Sequence, residues 1–503
     1  MGTRKIFGPP GTGKTTRLLQ IVDEAIVSGI ELTKIGYFAF TRKASTEAKD
    51  RAAEKFQIKN PKLQMPYFRT LHSLAYHCAG VSQESIFTST HLKQFAQQIK
   101  IDLTGSTDSE DDVPKLDNPI LAVHQLAMSM DISLEEAYHR SELNIPWNKV
   151  EYVVKSYLKF KAANSLLDFA DLLHHFIEHP ERCPKLDVCV IDEAQDLSTV
   201  QWKIVDILAQ NTKELYIAGD DDQAIYNWAG ADVERFLTYP GEVEVLNHSY
   251  RINRSVYDVA NKIVKRIRLR QPKTWSPRED DGNVQRINCV EDLVRGIRSD
   301  DEWLIMAPAN YMLNPIHDEL KGAGLIFERN HVKSISDKML ECVYGWESLR
   351  KGYEVPFNVV KGIYSYMSSE KITRGHKQLA GADPNKTYNM HKLVEYHGML
   401  AKDQPWFDAL DKISEDKRIY LRAILRRGMK ANREPRIKLS TIHSAKGGEA
   451  SNVALLMDLS TKQMDNYRRD SDSINRMFYV GVTRAKENLY LITPKDTGKA
   501  FYV

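Results

Sequence analysis

Eight residues near the N-terminus, Gly8-Pro9-Pro10-Gly11-Thr12-Gly13-Lys14-Thr15, restrict the architecture of this chain more than any other stretch. They follow the pattern G-x-x-x-x-G-K-[ST], in which glycines let backbone N–H groups face a phosphate with no side chain in the way. Lys5-Ile6-Phe7 before the loop reads as a strand, and Leu18, Leu19, Ile21, Val22 and Ala25 after it share one face of a helix. That strand–loop–helix setting separates a phosphate loop from a chance glycine-rich turn. Lys14 is placed to offer a point charge to β and γ phosphates and Thr15 a hydroxyl to Mg²⁺. The helix that follows points its positive end at the same anion.

The same grammar continues. Residues 35–40 read as a short buried strand and 43–56 as a helix, an alternation that argues for a parallel α/β sheet. Buried-strand patterns return at 186–194, 215–223, 243–251 and 303–310, and again from 436 to the C-terminus. Residues 81–166 are helical in pattern, with the acidic stretch Ser106–Asp112 as an exposed loop, and residues 336–435 are mildly basic with scattered aromatics. A chain of 503 residues has room for three or four domains, or two large ones with insertions. The expectation is two α/β cores, each interrupted by a largely helical insertion.

Composition removes other classes. Hydrophobic residues at 42% and charged residues at 27% exclude a disordered, collagen-like or disulfide-framework chain. Mean hydropathy is −0.44 and no long apolar run occurs, which excludes an integral membrane protein. No apolar segment precedes the glycines, so no signal peptide is expected, and Ile6 occupies the place where a myristoylation signal needs Ser or Thr. The five cysteines are scattered without a C-x-x-C, which reads as reduced thiols in a cytoplasm with no structural metal. A net charge of +3 is too balanced to indicate nucleic acid by itself.

A phosphate loop needs a carboxylate for its metal. The apolar run Cys189-Val190-Ile191 ends in Asp192 and Glu193. Asp192 would hold Mg²⁺, and Glu193 would orient and deprotonate an attacking water. Two acids ending a strand are common alone; downstream of a phosphate loop in the same sheet, the catalytic reading is favoured.

Ile191-Asp192-Glu193-Ala194-Gln195-Asp196, then Gly219 to Trp228 (GDDDQAIYNW), resemble the UvrD/Rep/PcrA family of superfamily 1 helicases. The resemblance continues at Asn247-His248-Ser249-Tyr250-Arg251, Thr441 to Gly447 (TIHSAKG) and Tyr479 to Ala485 (YVGVTRA), in the family's order and across nearly the whole chain. It implies two RecA-like cores with ATP between them and a single nucleic-acid strand across their tops. The segments would be 1A at 1–80 and 167–247, 1B at 81–166, 2A at 248–335 and 436–503, and 2B at 336–435. By position, Gly8, Gly11, Thr12, Gly13, Lys14 and Thr15 bind the nucleotide, Gln223 senses the γ-phosphate and Tyr250 stacks on adenine. Glu449 contacts ribose. Arg251 and Arg484 approach the γ-phosphate from the second core, where a guanidinium stabilises transition-state charge.

On the strand side, Phe40, Tyr226 and Trp228 match positions that stack on bases, a contact indifferent to base identity. Core packing competes as the role of Phe40, whereas Trp228 lies in a polar loop. Thr41, Thr70, His72, Asn310, Thr441 and His443 match positions near the strand backbone, and neither histidine receives a catalytic role. Leu167 to Leu173 (LDFADLL) matches the return from 1B into the first core.

The chain also departs from the family. Met1 stands seven residues before Gly8, so the adenine-reading segment is expected to be absent and Tyr250 to carry more of that contact. Thr16 replaces the usual Arg after the Lys-Thr pair, with Arg17 one place later, and both are assigned to the nucleotide. Pro308 stands where many relatives have Arg, and Gly448 replaces a Leu. The 2B-like insertion is short, and no C-terminal nuclease or partner-binding tail is expected after Arg484. Together these readings predict a cytoplasmic ATP- and Mg²⁺-dependent DNA helicase or translocase, of a bacterial cell or a phage-infected host. It would move 3′ to 5′ on single-stranded DNA and act at single-strand/duplex junctions in repair, replication or recombination. It would be a monomer or weak dimer, with unidentified repair or replication proteins as partners. The alternatives are a strand-stimulated ATPase switch, a translocase without autonomous unwinding, or an enzyme of RNA.

Overall fold

The computed structural model describes residues 2–103, 118–141, 143–298, 300–428 and 434–503, with Lys43 described by its backbone alone. The acidic stretch Ser106–Asp112 lies outside them. The fold is α/β, as expected, and falls into two compact units: Met1–Asp281 with Asp465–Thr483, and Gly282–Met464 with Arg484–Val503.

The first unit is built on six strands: β1 (Gly2–Phe7), β2 (Ile35–Phe38), β3 (Phe68–Arg69), β4 (Leu186–Ile191), β5 (Thr212–Gly219) and β6 (Glu242–Val245). They lie in the order β3-β2-β4-β5-β1-β6 with every pairing parallel. Alternate residues enter different cores. Ile6, Tyr37, Val190 and Ala218 pack on one face, and Phe7, Phe38, Ile191 and Ile217 on the other. A sheet buried on both sides is the solution that apolar, non-alternating strands require. The register pairs Phe7 with Gly219 and Phe38 with Ile191, so the loops after β1, β2, β4 and β5 emerge together. Ligands of open parallel sheets bind at these carboxyl ends.

Between β3 and β4, four helices (Ser89–Ile99, Pro119–Met130, Leu134–Ser141 and Trp147–Ala163) surround their own core of Phe87, Leu92, Phe95, Val150, Val153 and Tyr157. The chain returns through Asp168, which caps the helix Phe169–Glu178. The Asp168 carboxylate also accepts from Lys161 Nζ at 2.5 Å and Tyr157 OH at 2.8 Å. The matched LDFADLL segment is therefore a buried polar hinge-post between the helical layer and the sheet.

The second unit carries β7 (Asn283–Ile287), β8 (Trp303–Ala307), β9 (Phe327–Arg329), β10 (Val332–Lys333), β13 (Ile437–Thr441), β14 (Ala450–Leu456) and β15 (Ala485–Ile492). Their order is β10-β9-β13-β8-β14-β15-β7, parallel except for the β9–β10 hairpin. Between β10 and β13 lies a mainly helical section with a two-stranded ribbon, β11 (Val355–Pro356) and β12 (Thr387–Tyr388). It has its own core around Trp346, Tyr364 and Leu421. Among the described residues no helix is long and apolar enough to cross a membrane.

Residues 248–281, grouped by sequence with the second core, pack in the first unit. The reason is local. Ser249 Oγ donates to the Pro10 carbonyl at 2.7 Å and Tyr250 N to that of Gly11 at 2.9 Å. The helix Arg254–Val264 then packs on Ser471–Val482.

Candidate functional site

The phosphate loop leaves β1 with Gly8 N donating to the Gly219 carbonyl at 3.0 Å. Gly11 and Gly13 have φ of +73° and +78°, the left-handed region in which a Cβ is strained. A Cβ on Gly11 would lie 2.3 Å from Cβ of Arg251, so glycine is also what lets that segment seat on the loop. Gly13 precedes the helix Lys14–Val27 without a side-chain cap, leaving its first N–H groups for an anion. Thr12 Oγ1 donates to the Pro9 carbonyl at 2.8 Å, which tightens the turn. Thr15 is half-buried at the head of the helix, and Thr16 is exposed. Arg17 is held elsewhere: its Nε donates to Glu244 on β6 at 3.0 Å, and it pairs with Glu24.

Lys14 Nζ donates to the Gly8 carbonyl at 3.1 Å and lies 3.9 Å from Glu193 Oε1. Asp192 ends β4, buried, with its N–H on the Phe38 carbonyl at 2.8 Å. Its Oδ1 accepts from Glu193 N at 2.9 Å and its Oδ2 from Tyr37 OH at 2.8 Å. Burial, with the neighbouring Glu193 charge, pushes the Asp192 carboxyl up to about 6, and Lys14 opposes the shift. A divalent cation at this position would relieve that cost, so the donor set fits Mg²⁺ on Asp192 and Thr15. Glu193 has φ of +55°, a left-handed non-glycine conformation costing about 1–3 kcal/mol, and such strain gathers at working sites.

The loop after β5 carries the next group. Gln223 is buried and its Nε2 donates to Asp220 Oδ2 at 2.6 Å. Asp220 N donates to Gln195 Oε1 at 2.9 Å, and Gln195 Nε2 donates to Glu193 Oε2 at 2.6 Å. Gln223 and Glu193 are thus two ends of one hydrogen-bonded chain. Among the described residues, Asp220, Asp221 and Asp222 are close enough together to hold a metal ion. Lys273 Nζ already lies among them, at 2.9 Å from Asp220 and 2.8 Å from Asp222 and in contact with Asp221.

Beyond Gln223 the same loop surfaces. Tyr226 stacks on Phe40 with centroids 5.8 Å apart, and Trp228 meets the Tyr226 edge at 6.4 Å. Trp228 is 60% exposed, whereas Phe40 is 7% exposed and belongs to the core. Phe40 therefore supports the aromatic patch from beneath. Thr41 and Thr70 cap helices, accepting from Ala44 N at 3.1 Å and Ser73 N at 3.2 Å. His72 packs edge-on against Phe169.

Tyr250, 71% exposed, stands beside the phosphate loop with His248 edge-on at 4.9 Å. Tyr250 and Arg251 belong to the unit that carries the loop, where the sequence reading set Arg251 in the second core. In the second unit Arg484 is buried and donates to the Gly448 carbonyl at 3.3 Å, and Glu449 is exposed, 3.8 Å from Lys486. Asn310 follows β8 and Thr441 ends the neighbouring β13, Thr441 accepting from Ser444 N at 3.2 Å and His443 half-buried. Arg329 Nη2, from β9, donates to Asn310 Oδ1 at 3.0 Å, placing a guanidinium beside Asn310.

Tyr37, Gln195, Lys273 and Arg329 escaped the sequence reading. Tyr37 looked like one apolar strand residue among several, and Lys273 lies in an unpatterned coil. Gln195 was quoted within a motif but given no role.

Residues 1–243 match the family profile of the UvrD/REP helicase N-terminal domain, and residues 437–492 that of the UvrD-like helicase C-terminal domain. The ATP-dependent DNA helicase PcrA of Staphylococcus epidermidis is 27% identical over 317 residues, 58% of this chain and 42% of that protein. PcrA of Staphylococcus aureus is 27% identical over 330 residues, 60% of this chain and 43% of that protein. YjcD of Bacillus subtilis is 22% identical over 606 aligned positions, 98% of this chain and 77% of that protein. The aligned part thus spans about two fifths of the PcrA relatives.

Proposed function

The chain belongs to the UvrD/Rep family of helicases, and from that premise we propose that it is an ATP-driven DNA helicase translocating 3′ to 5′ on single-stranded DNA. One observation carries the reading: a single loop, from Asp220 to Gly230, holds Gln223 buried against Asp220 and presents Trp228 to solvent. A change in nucleotide state at Gln223 has only the four residues 224–227 through which to alter an exposed base-stacking ring.

In this mechanism Lys14 and the free N–H groups of its helix bind the β and γ phosphates. Mg²⁺, which neutralises phosphate charge, would be held by Thr15 and Asp192. Glu193 orients a water and takes its proton. Gln223 reports the γ-phosphate, Arg251 and Arg484 stabilise the charge that develops, Tyr250 stacks on adenine and Glu449 takes the ribose. Trp228 and Tyr226 grip bases, with Phe40 supporting them from the core, while Thr41, Thr70, His72, Asn310, Thr441 and His443 face the strand backbone. The segments act as 1A, 1B, 2A and 2B. The setting is cytoplasmic DNA repair, replication or recombination at single-strand/duplex junctions, by a monomer or weak dimer.

The test is strand separation with ATP and Mg²⁺ on duplexes with a 3′ or a 5′ single-stranded tail, with Lys14→Ala as control. Unwinding from the 3′ tail alone, lost in Lys14→Ala, is the expected outcome. Unwinding from the 5′ tail would overturn the polarity. Strand-stimulated ATPase without unwinding would make the protein a translocase or switch.

A further inference from the structure

We propose that Lys273 is a positioning residue of the ATPase site: anchored on Asp220, it sets Gln223 and, through Gln195, Glu193. The proposal rests on the ATPase reading above.

The Lys273 side chain is fully buried although its backbone is not, which is costly for an ammonium unless carboxylates surround it. Three do. Asp220, Asp221 and Asp222 all lie within ion-pair distance of Nζ, and each is itself buried. Asp222 is also held by both arms of Arg270, at 2.8 Å each, and Asp221 accepts from Gln271 N at 2.8 Å. Asp220 is different, because its second oxygen accepts from Gln223 Nε2. Its backbone N–H engages Gln195, which reaches Glu193. Among the three carboxylates Lys273 holds, Asp220 is therefore the one whose hydrogen bonds lead to both the sensor and the base.

The stretch that delivers Lys273 also grips the phosphate loop. Ser249 and Tyr250 bond Pro10 and Gly11, and Ser249 N donates to the Ser276 carbonyl at 2.9 Å, closing the segment on itself. Lys273 Nζ lies 5.9 Å from the ring centroid of Phe7, the last residue before the loop. One strap thus fixes phosphate loop and sensor loop in a common frame. A misplacement of about 1 Å at a reacting group costs on the order of 100-fold in rate, so such a frame bears on kcat.

Simple removal of Lys273 leaves Asp220 and Asp221 without their cation, so the test uses Lys273→Gln combined with Asp221→Asn, which leaves the local charge balance unchanged. Gln195→Met, which cuts the link from the Asp220 backbone to Glu193 and leaves every charged side chain of the cluster in place, is the second variant. ATP turnover, KM for ATP, thermal unfolding and binding of a non-hydrolysable ATP analogue are measured on each. The expected result is kcat lowered roughly 10- to 100-fold, with KM, analogue affinity and unfolding temperature close to those of the unaltered protein. Undiminished kcat in a folded variant would overturn the proposal. So would a parallel fall of analogue affinity and unfolding temperature in both variants, which marks a general structural role. An unaltered protein without ATPase activity would instead overturn the reading beneath it.

Discussion

Asp192 concentrates the chemistry of the site in one carboxyl group. Burial and the charge of Glu193 push it up to about 6, against Lys14 and the hydrogen bond it receives from Tyr37. A proton and a divalent cation therefore compete for it. Without metal, the folded protein binds more protons than the unfolded chain between the ordinary carboxylate range and about 6, so its stability falls as pH rises through that window. A bound cation reverses the penalty. We expect Mn²⁺ affinity, followed by electron paramagnetic resonance, to climb between about pH 5 and about pH 7 and then level, with Asp192→Asn abolishing the dependence. A flat profile would remove Asp192 from the metal site. At this scale the phosphate loop and the acid beside it are legible because loop chemistry is local: glycine, Lys14 and an acid after an apolar strand need few neighbours to declare themselves. Tyr37 was not legible, since only the pairing of β2 with β4 brings its hydroxyl to Asp192.

Two elements turn residues into devices. The loop from Asp220 to Gly230 joins a buried sensor to an exposed ring, so Trp228→Ala should lose single-strand stimulation of ATPase far more than basal turnover. Stacking of about 1–3 kcal/mol per base sets the size of the loss in strand affinity. Stimulation that survives the substitution would show that the ring does not touch the strand. The second element is the return from the helical layer, where Lys161 lies between Asp168 and Asp171 at 2.5 and 2.6 Å. Burial opposes the Asp168 charge, but Lys161 and its hydrogen bonds bring that carboxyl down to about 2. Its contribution to stability is present above the ordinary carboxylate range and fades as pH falls toward 2. Lys161→Met should cost about 3–5 kcal/mol in urea unfolding near neutral pH, because buried Asp168 and half-buried Asp171 are left without their cation. A loss below about 1 kcal/mol would mean that water reaches the pair.

For the whole molecule, the proposed mechanism makes hydrolysis depend on both units. Arg484 belongs to the second unit, buried in the Tyr479–Ala485 motif. We expect Arg484→Ala to retain ATP binding, measured by analogue titration, while kcat falls by about 10³–10⁵. Turnover within a few-fold of the unaltered protein would assign Arg484 to packing alone. The sequence by itself determined the α/β class, the two cores with helical insertions, the phosphate loop and the motif order, because each is written in contiguous residues or in the period of apolar side chains. Tertiary structure decided the rest. It made Phe40 a buried support and Trp228 the exposed ring, and it tied Arg17 to Glu244. It seated residues 248–281 on the phosphate loop's own unit and closed Lys273 over three aspartates. Those outcomes depend on which distant side chains compete for the same small volume and the same hydrogen bonds, and no local pattern encodes that competition.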